Sequence, residues 1–304
     1  MRSYATLGLL HLQHRRINVK QTYDCTPTLN DEQVIEFCKQ GFILLENVID
    51  DDINHLTNEF AKEHTELAPM ELLNEKWFIE GVIKNPQAAG AVRSLLGKDF
   101  GLPIGISNHR NTTQLPAQEW HWDSNSKFGP QVDYLQVFYL PQACTREMGP
   151  TELIPGSHFI FSHRDAMHSI GNVKGSYYAT LPAGSVLITH YGIWHRRSQS
   201  TVAKTRNNVK YSYWRTSHPQ RDWIISQDFD ATTTDYSLHK QVIPGISPPN
   251  PTYRQKNWDQ RDAAEMYFWL RGESDKFQWI GGGGSWPTQT SGTVIDSPYG
   301  SPRI

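Results

Sequence analysis

Between Leu102 and Thr216 the chain is punctuated every few residues by Gly, Pro, Asn or Ser, and the runs between these breaks are short and rich in β-branched and aromatic residues. Such runs are too short for helices and carry the residue types that suit a pleated surface. The pattern predicts strands over Ile104–Asn108, Gln118–Asp123, Val132–Leu140, Thr151–Ile154, Tyr177–Leu181, Ser185–His190 and Asn208–Thr216. Many short strands joined by turn signals specify an antiparallel sandwich or barrel.

The stretch before Leu102 reads differently. Asn30 can cap a helix whose apolar positions Val34, Ile35, Phe37 and Cys38 share a face, with Gly41 as its stop. Phe42 to Leu45 is a short apolar run that reads as a buried strand. Asp51 or Asp52 starts a second helix carrying Ile53, Leu56 and Phe60, and Asn85-Pro86 starts a third that stops at Gly97. Helices first and strands afterwards predict an α+β, mainly β fold with N-terminal helices covering one face of a sheet. A last helix is expected over 257–270, with Trp258, Met266 and Trp269 on its apolar side. The expected organisation is one domain over 1–304: an arm over 1–28, a core over 29–216, and an extension over 217–304. Gly281–Gly284 would then serve as linker or lid.

A net charge of −2 argues against a nucleic-acid partner held on a broad basic surface. Three cysteines without metal-ligand spacing suggest a reducing, cytoplasmic setting rather than a disulfide framework. No apolar run is long enough to span a bilayer. The first residues carry Arg2, Arg15, Arg16 and Lys20 and no acid before Asp24, a charge pattern shared by organelle transit peptides and by plain N-terminal arms.

The chemistry centres on Trp120-His121-Trp122-Asp123. Alternation along a strand points His121 and Asp123 to one side and the two tryptophans to the other. A histidine and a carboxylate so placed offer a metal two adjacent ligands. A third from elsewhere would complete the two-histidine, one-carboxylate set that holds Fe(II) and leaves three positions open. Two other His-x-acid triplets, His64/Glu66 and His163/Asp165, lack flanking strand residues and read as solvated polar surface. For the third ligand, the segment Ser185 to His195 offers both His190 and His195, and spacing alone does not choose between them.

The run Gly149-Pro150-Thr151-Glu152-Leu153-Ile154-Pro155-Gly156-Ser157-His158 resembles a hallmark of the phytanoyl-CoA dioxygenase family, ectoine hydroxylase among its members. Leu29 to Gln33 and Gly41 to Val48 are similar to that family's opening helix and strand. The resemblance implies a double-stranded β-helix core of the jelly-roll or cupin type, with Fe(II), 2-oxoglutarate and O₂ as cofactor and cosubstrates. It implies His195, in Ile193-Trp194-His195, as the distal ligand and His190 as a neighbour. It also implies Arg206 on the far carboxylate of 2-oxoglutarate, Asn108 as a further cosubstrate contact, and His158 as a loop-ordering residue. Arg196 and Arg197 depart from the family, which has small residues there.

The activity implied is oxidation of an unactivated C–H bond of a small, partly apolar molecule, hydroxylation by default, with release of succinate and CO₂. Asp123 leaves a halide no ligand position. A dry aromatic pocket suits such chemistry, and Trp122, Phe138, Tyr139, Tyr191 and Trp214 are its candidate lining. Two rival readings are an iron oxygenase acting on a protein or peptide side chain and a non-catalytic β-barrel binding protein.

Overall fold

The Asn30 side chain accepts the Gln33 N–H at 3.0 Å, and the Gln33 side chain accepts the Asn30 N–H at 3.0 Å. This capping box starts helix α1 (Asp31–Gln40), which stops at Gly41 with φ 84°. Glycine is required at this stop for a second reason. A Cβ there would lie 2.4 Å from Nδ1 of His158, whose ring is buried under the turn with Nε2 3.2 Å from the Cys38 carbonyl. The expected loop-ordering part played by His158 is what the packing displays.

The computed structural model describes residues 21–123, 128–160, 167, 169–236, 238 and 254–277, with 254–260 as backbone only. After α1 come strand β2 (Phe42–Leu45) and helix α2 (Asp51–Glu63). Short 3-10 and π turns flank helix α3 (Lys76–Phe78), and α4 (Pro86–Leu96) follows its predicted Asn85 cap. Helix α5 spans Arg254–Leu270, longer at its start than expected. The Gly281–Gly284 linker or lid and His163/Asp165 lie outside the described residues.

Among the described residues, ten strands form two sheets. Beside β2 these are β1 (Thr22–Tyr23), β3 (Phe100–Gly101), β4 (Ile106–Asn108), β5 (Tyr134–Leu140), β6 (Thr151–Leu153), β7 (Tyr177–Tyr178), β8 (Ser185–His190), β9 (His195–Arg197) and β10 (Val209–Trp214). The larger sheet runs β1-β3-β10-β5-β8-β2, with β4 also on β10, and the smaller runs β7-β6-β9. Every pairing of named strands is antiparallel, so the chain is α+β and mainly β. β2 and β8 match their predicted limits. The predicted strand over Gln118–Asp123 is reduced to an isolated bridge at His121.

Alternation decides which side of the large sheet each residue serves. Leu135, Val137, Tyr139, Val186, Ile188, Val209, Tyr211 and Tyr213 pack with the helices in the principal core. Phe138, Leu140 and Leu187 turn the other way and meet Leu153 of the small sheet in a second core. A third, around Trp120, Ile154 and Trp194, backs the small sheet. The site is therefore assembled on the face of the large sheet opposite the helices.

Two expectations are corrected. Leu56 is 42% exposed, and α2 instead buries Asn54, Thr57 and Ala61, because Asn54 and Thr57 receive the Tyr139 hydroxyl. The expected N-terminal arm also contributes β1, which pairs with β3. Beyond Ser217, Trp223, Ala231, Tyr236, Tyr267 and Phe277 all belong to the principal core. Buried Asp31 ties this segment to α1, accepting hydrogen bonds from Arg221, Trp223, Tyr267 and the Ser226 N–H. No helix among the described residues is long and apolar enough to cross a membrane.

Candidate metal centre

The His121 N–H donates to the His195 carbonyl at 3.1 Å, and the His195 N–H donates back at 2.9 Å. This pair of backbone bonds sets the two residues directly opposite one another, with ring centroids 4.5 Å apart. Asp123 follows two residues on. One ligand atom from each of His121, Asp123 and His195 falls within 4.8 Å of the other two. His190, the other candidate left open by spacing, is elsewhere: its ring bonds the Gly192 N–H and the Gln131 carbonyl on the helix side of β8.

The imidazoles are oriented from behind. Nδ1 of His121 lies 2.9 Å from the Glu119 carbonyl, and Nδ1 of His195 lies 3.2 Å from the Ile193 carbonyl. A carbonyl can only accept, so each ring carries its proton on Nδ1 and presents Nε2 as an acceptor. Nε2 of His195 is 3.8 Å from Oδ2 of Asp123. Burial, then the neighbouring His121, pushes the His195 pKa down to about 3, so the ring is neutral at physiological pH. Two acceptor nitrogens and a carboxylate converging in this way fit a divalent transition-metal ion.

Two residues that sequence reasoning missed hold the carboxylate. Lys210 Nζ is 2.9 Å from Asp123 Oδ2, and the Gln136 amide also donates to it. Burial disfavours the Asp123 carboxylate, but His195, Lys210 and Gln136 outweigh it and hold it well below its usual range. The Lys210 ammonium is the cation in direct hydrogen-bond contact with this carboxylate. Lys210 could have been found: Arg206, Asn208 and Lys210 alternate along one run and share a face. Gln136 gave no sequence signal.

The three converging residues open into a cavity of about 370 Å³ whose wall also includes Asn108, His109, Arg110, Phe138, Thr151, Arg197, Arg206, Asn208 and Lys210. Arg206 is 1% exposed. One of its terminal nitrogens donates to Thr151 Oγ1 at 3.0 Å, and among the described residues its Nε has no partner, nor does Oδ1 of Asn208. A buried donor without a partner is costly, and the Arg206 Nε–H fits an oxygen of an anionic ligand. Asn108 lines the same wall but spends its amide on Asn207 and on the Asn208 N–H. Arg196, one of the two departures from the family pattern, faces the other way, its Nε 2.6 Å from buried Glu152 and its guanidinium over Trp120. Arg197 turns into the cavity.

Of the five aromatic residues expected to line the pocket, only Phe138 does. Its neighbour Tyr139 must face the opposite side of β5, and its hydroxyl bonds Asn54 at 2.8 Å in the helix-side core. Trp122 packs edge-on against Phe128. Tyr191 and Trp214 line a separate groove of about 630 Å³ with Tyr134 and Ile104, adjoining the cavity at Lys210. The cavity is thus far more cationic and less aromatic than expected. The half-buried His64 and exposed Glu66 stand near Glu71 at the end of α2, His64 stacked on Phe60 at 4.0 Å.

No protein-family profile and no curated protein matches the sequence. Solved structures share its fold. HygX from Streptomyces hygroscopicus, with nickel and 2-oxoglutarate bound, is 13% identical at a TM-score of 0.52, over 65% of this chain and 90% of that one. SnoK, a non-heme alpha ketoglutarate dependent carbocyclase from nogalamycin biosynthesis, is 15% identical at 0.50, over 65% and 90%. AviO1 from Streptomyces viridochromogenes Tue57 is 13% identical at 0.50, over 62% and 96%.

Proposed function

We propose that this protein is an Fe(II)- and 2-oxoglutarate-dependent dioxygenase of the double-stranded β-helix type, oxidising a C–H bond of a small molecule with hydroxylation as the default outcome. The observation that carries the reading is the convergence of His121, Asp123 and His195, with both histidines fixed as Nε2 acceptors. The motif run from Gly149 to His158 supports placing it near the phytanoyl-CoA dioxygenases. HygX with nickel and 2-oxoglutarate bound and SnoK with its alpha ketoglutarate dependence support the same chemistry on this fold.

His121, Asp123 and His195 would hold the iron, which when bound would supply activation of O₂ coupled to oxidative decarboxylation of 2-oxoglutarate to succinate and CO₂. The remaining work falls to the chain itself. Lys210 and Gln136 keep Asp123 ionised and aimed, so it binds the metal without first losing a proton. The carbonyls of Glu119 and Ile193 hold both rings in the ligating tautomer. Arg206 offers a planar fork to the far carboxylate of 2-oxoglutarate at the cavity floor, with Thr151 and Asn208 beside it. Phe138, edge-on to His195 at 5.4 Å, keeps water from that side of the ring. The free thiols of Cys25, Cys38 and Cys144 support a reducing, cytoplasmic setting.

The test is anaerobic loading with Fe(II) and 2-oxoglutarate followed by O₂, measuring succinate and oxygen uptake across a metabolite panel. Metal-dependent succinate formation that rises with one panel member supports the reading. Absence of 2-oxoglutarate binding to the metal-loaded protein refutes it.

A further inference from the structure

Four cationic side chains, Arg110, Arg197, Arg206 and Lys210, turn into the cavity, against Asp123 as the one acid among the described residues of its wall. One of the four is neutralised, Lys210 by Asp123 at 2.9 Å, while Arg196, facing away, pairs with Glu152 at 2.6 Å. Arg110, Arg197 and Arg206 have no carboxylate partner among the described residues. Arg206 is buried at the floor, whereas Arg110 and Arg197 are half-buried, so the unmatched charge lies at two depths.

The two outer arginines are held in place. Arg197 sits opposite Thr151 in the pairing of β9 with β6, and its guanidinium donates to the carbonyls of Pro116 at 2.8 Å and Ser198 at 3.2 Å. Arg110 donates to the Ala61 carbonyl at 2.7 Å in α2. These bonds fix the guanidiniums without cancelling their charge, since a carbonyl carries only a partial dipole. Burial, and after it the field of Arg206, pulls the Arg197 pKa down, so the cations act on one another. Like charges gathered without counter-charge cost free energy that an anionic ligand recovers.

The cosubstrate does not supply enough negative charge. Its two carboxylates meet a divalent ion and Arg206, leaving Arg110 and Arg197 unmatched. We infer that the second substrate of this site is itself an anion, a small molecule whose carboxylate or phosphate group is held at the cavity rim by Arg110 and Arg197. The inference rests on the 2-oxoglutarate reading, which assigns Arg206 to the cosubstrate. Guanidinium forks take carboxylate and phosphate alike, two oxygens at a time, so the shared feature is an oxyanion on the substrate. It also accounts for Arg197 at a position where small residues would otherwise leave the rim uncharged.

The experiment is calorimetric titration of the full chain loaded with redox-silent Ni(II) and saturating 2-oxoglutarate. Phenylacetate, inorganic phosphate and the neutral 2-phenylethanol serve as probes. At least one anion should bind and the alcohol should not, and whichever anion binds tighter separates a carboxylate from a phosphate substrate. Arg110→Gln and Arg197→Gln should each weaken that anion roughly tenfold while changing 2-oxoglutarate affinity less than about twofold, and Arg206→Gln should do the reverse. Two outcomes overturn the inference alone: neither anion binding better than the alcohol, or Arg197→Gln weakening 2-oxoglutarate and sparing the anion. Failure of the Ni(II)-loaded wild type to bind 2-oxoglutarate overturns the cosubstrate reading and this inference with it. Circular dichroism of each variant separates lost binding from lost fold.

Discussion

Lys210 and Asp123, 87 positions apart, meet at 2.9 Å in the wall of the cavity. The ammonium keeps the carboxylate charged before a metal arrives and then stands beside the metal as a like charge. Lys210→Met should therefore lower the thermal midpoint of the metal-free protein and tighten Ni(II) binding. A variant with unchanged midpoint and weaker Ni(II) binding would show that Lys210 helps to seat the ion instead.

Arg206 is expected to act on cosubstrate binding. A charge-assisted bond is worth about 1.5–3 kcal/mol, so Arg206→Gln should raise the KM for 2-oxoglutarate by roughly 10- to 100-fold. Initial rates against 2-oxoglutarate concentration read this directly. An unchanged KM would pass the assignment to Arg197, the other guanidinium beside Thr151.

Acid should destabilise the fold through His190. Burial pushes its pKa down to about 4, below the value of about 6.5 for an exposed imidazole. Between these values the unfolded chain binds the extra proton, so stability falls as pH drops through that window and levels off below it. The full effect is at most about 3 kcal/mol. Urea midpoints of the metal-free protein should fall from about pH 7 to about pH 4.5, less steeply in His190→Gln. Equal slopes in the two proteins would remove His190 from the account.

Asp31 is the point where the C-terminal segment is fastened. It is fully buried and bonded to Arg221, Trp223, Ser226 and Tyr267. Asp31→Ala leaves the Arg221 charge without its partner and should cost about 3 kcal/mol or more of unfolding free energy. Chemical denaturation measures this. A loss under about 1 kcal/mol would mean that the segment is held by its apolar contacts.

Much of this was legible in the sequence wherever the cause is local. The Asn30 and Asn85 caps, the stop at Gly41, and the limits of β2 and β8 depend on neighbours within a few residues. So does the shared side of His121 and Asp123. The misreadings come from tertiary partners. Leu56 lies in the apolar pattern of α2, yet the helix turns Asn54 and Thr57 inward because Tyr139 needs partners across the core. The expectation that Tyr139 joins Phe138 in the pocket fails because strand alternation lets only one of two adjacent residues face it. The cationic cavity was hidden because its arginines come from segments 110, 197 and 206, which meet only through sheet pairing.

The central claim is that three side chains hold one metal ion. Calorimetric titration of the wild type with Ni(II) should give one ion per chain. His121→Ala, Asp123→Ala and His195→Ala should each weaken it at least about 100-fold, more than the loss of an outer partner costs, while far-ultraviolet circular dichroism stays unchanged. One ion at wild-type affinity in any of these variants would contradict the account.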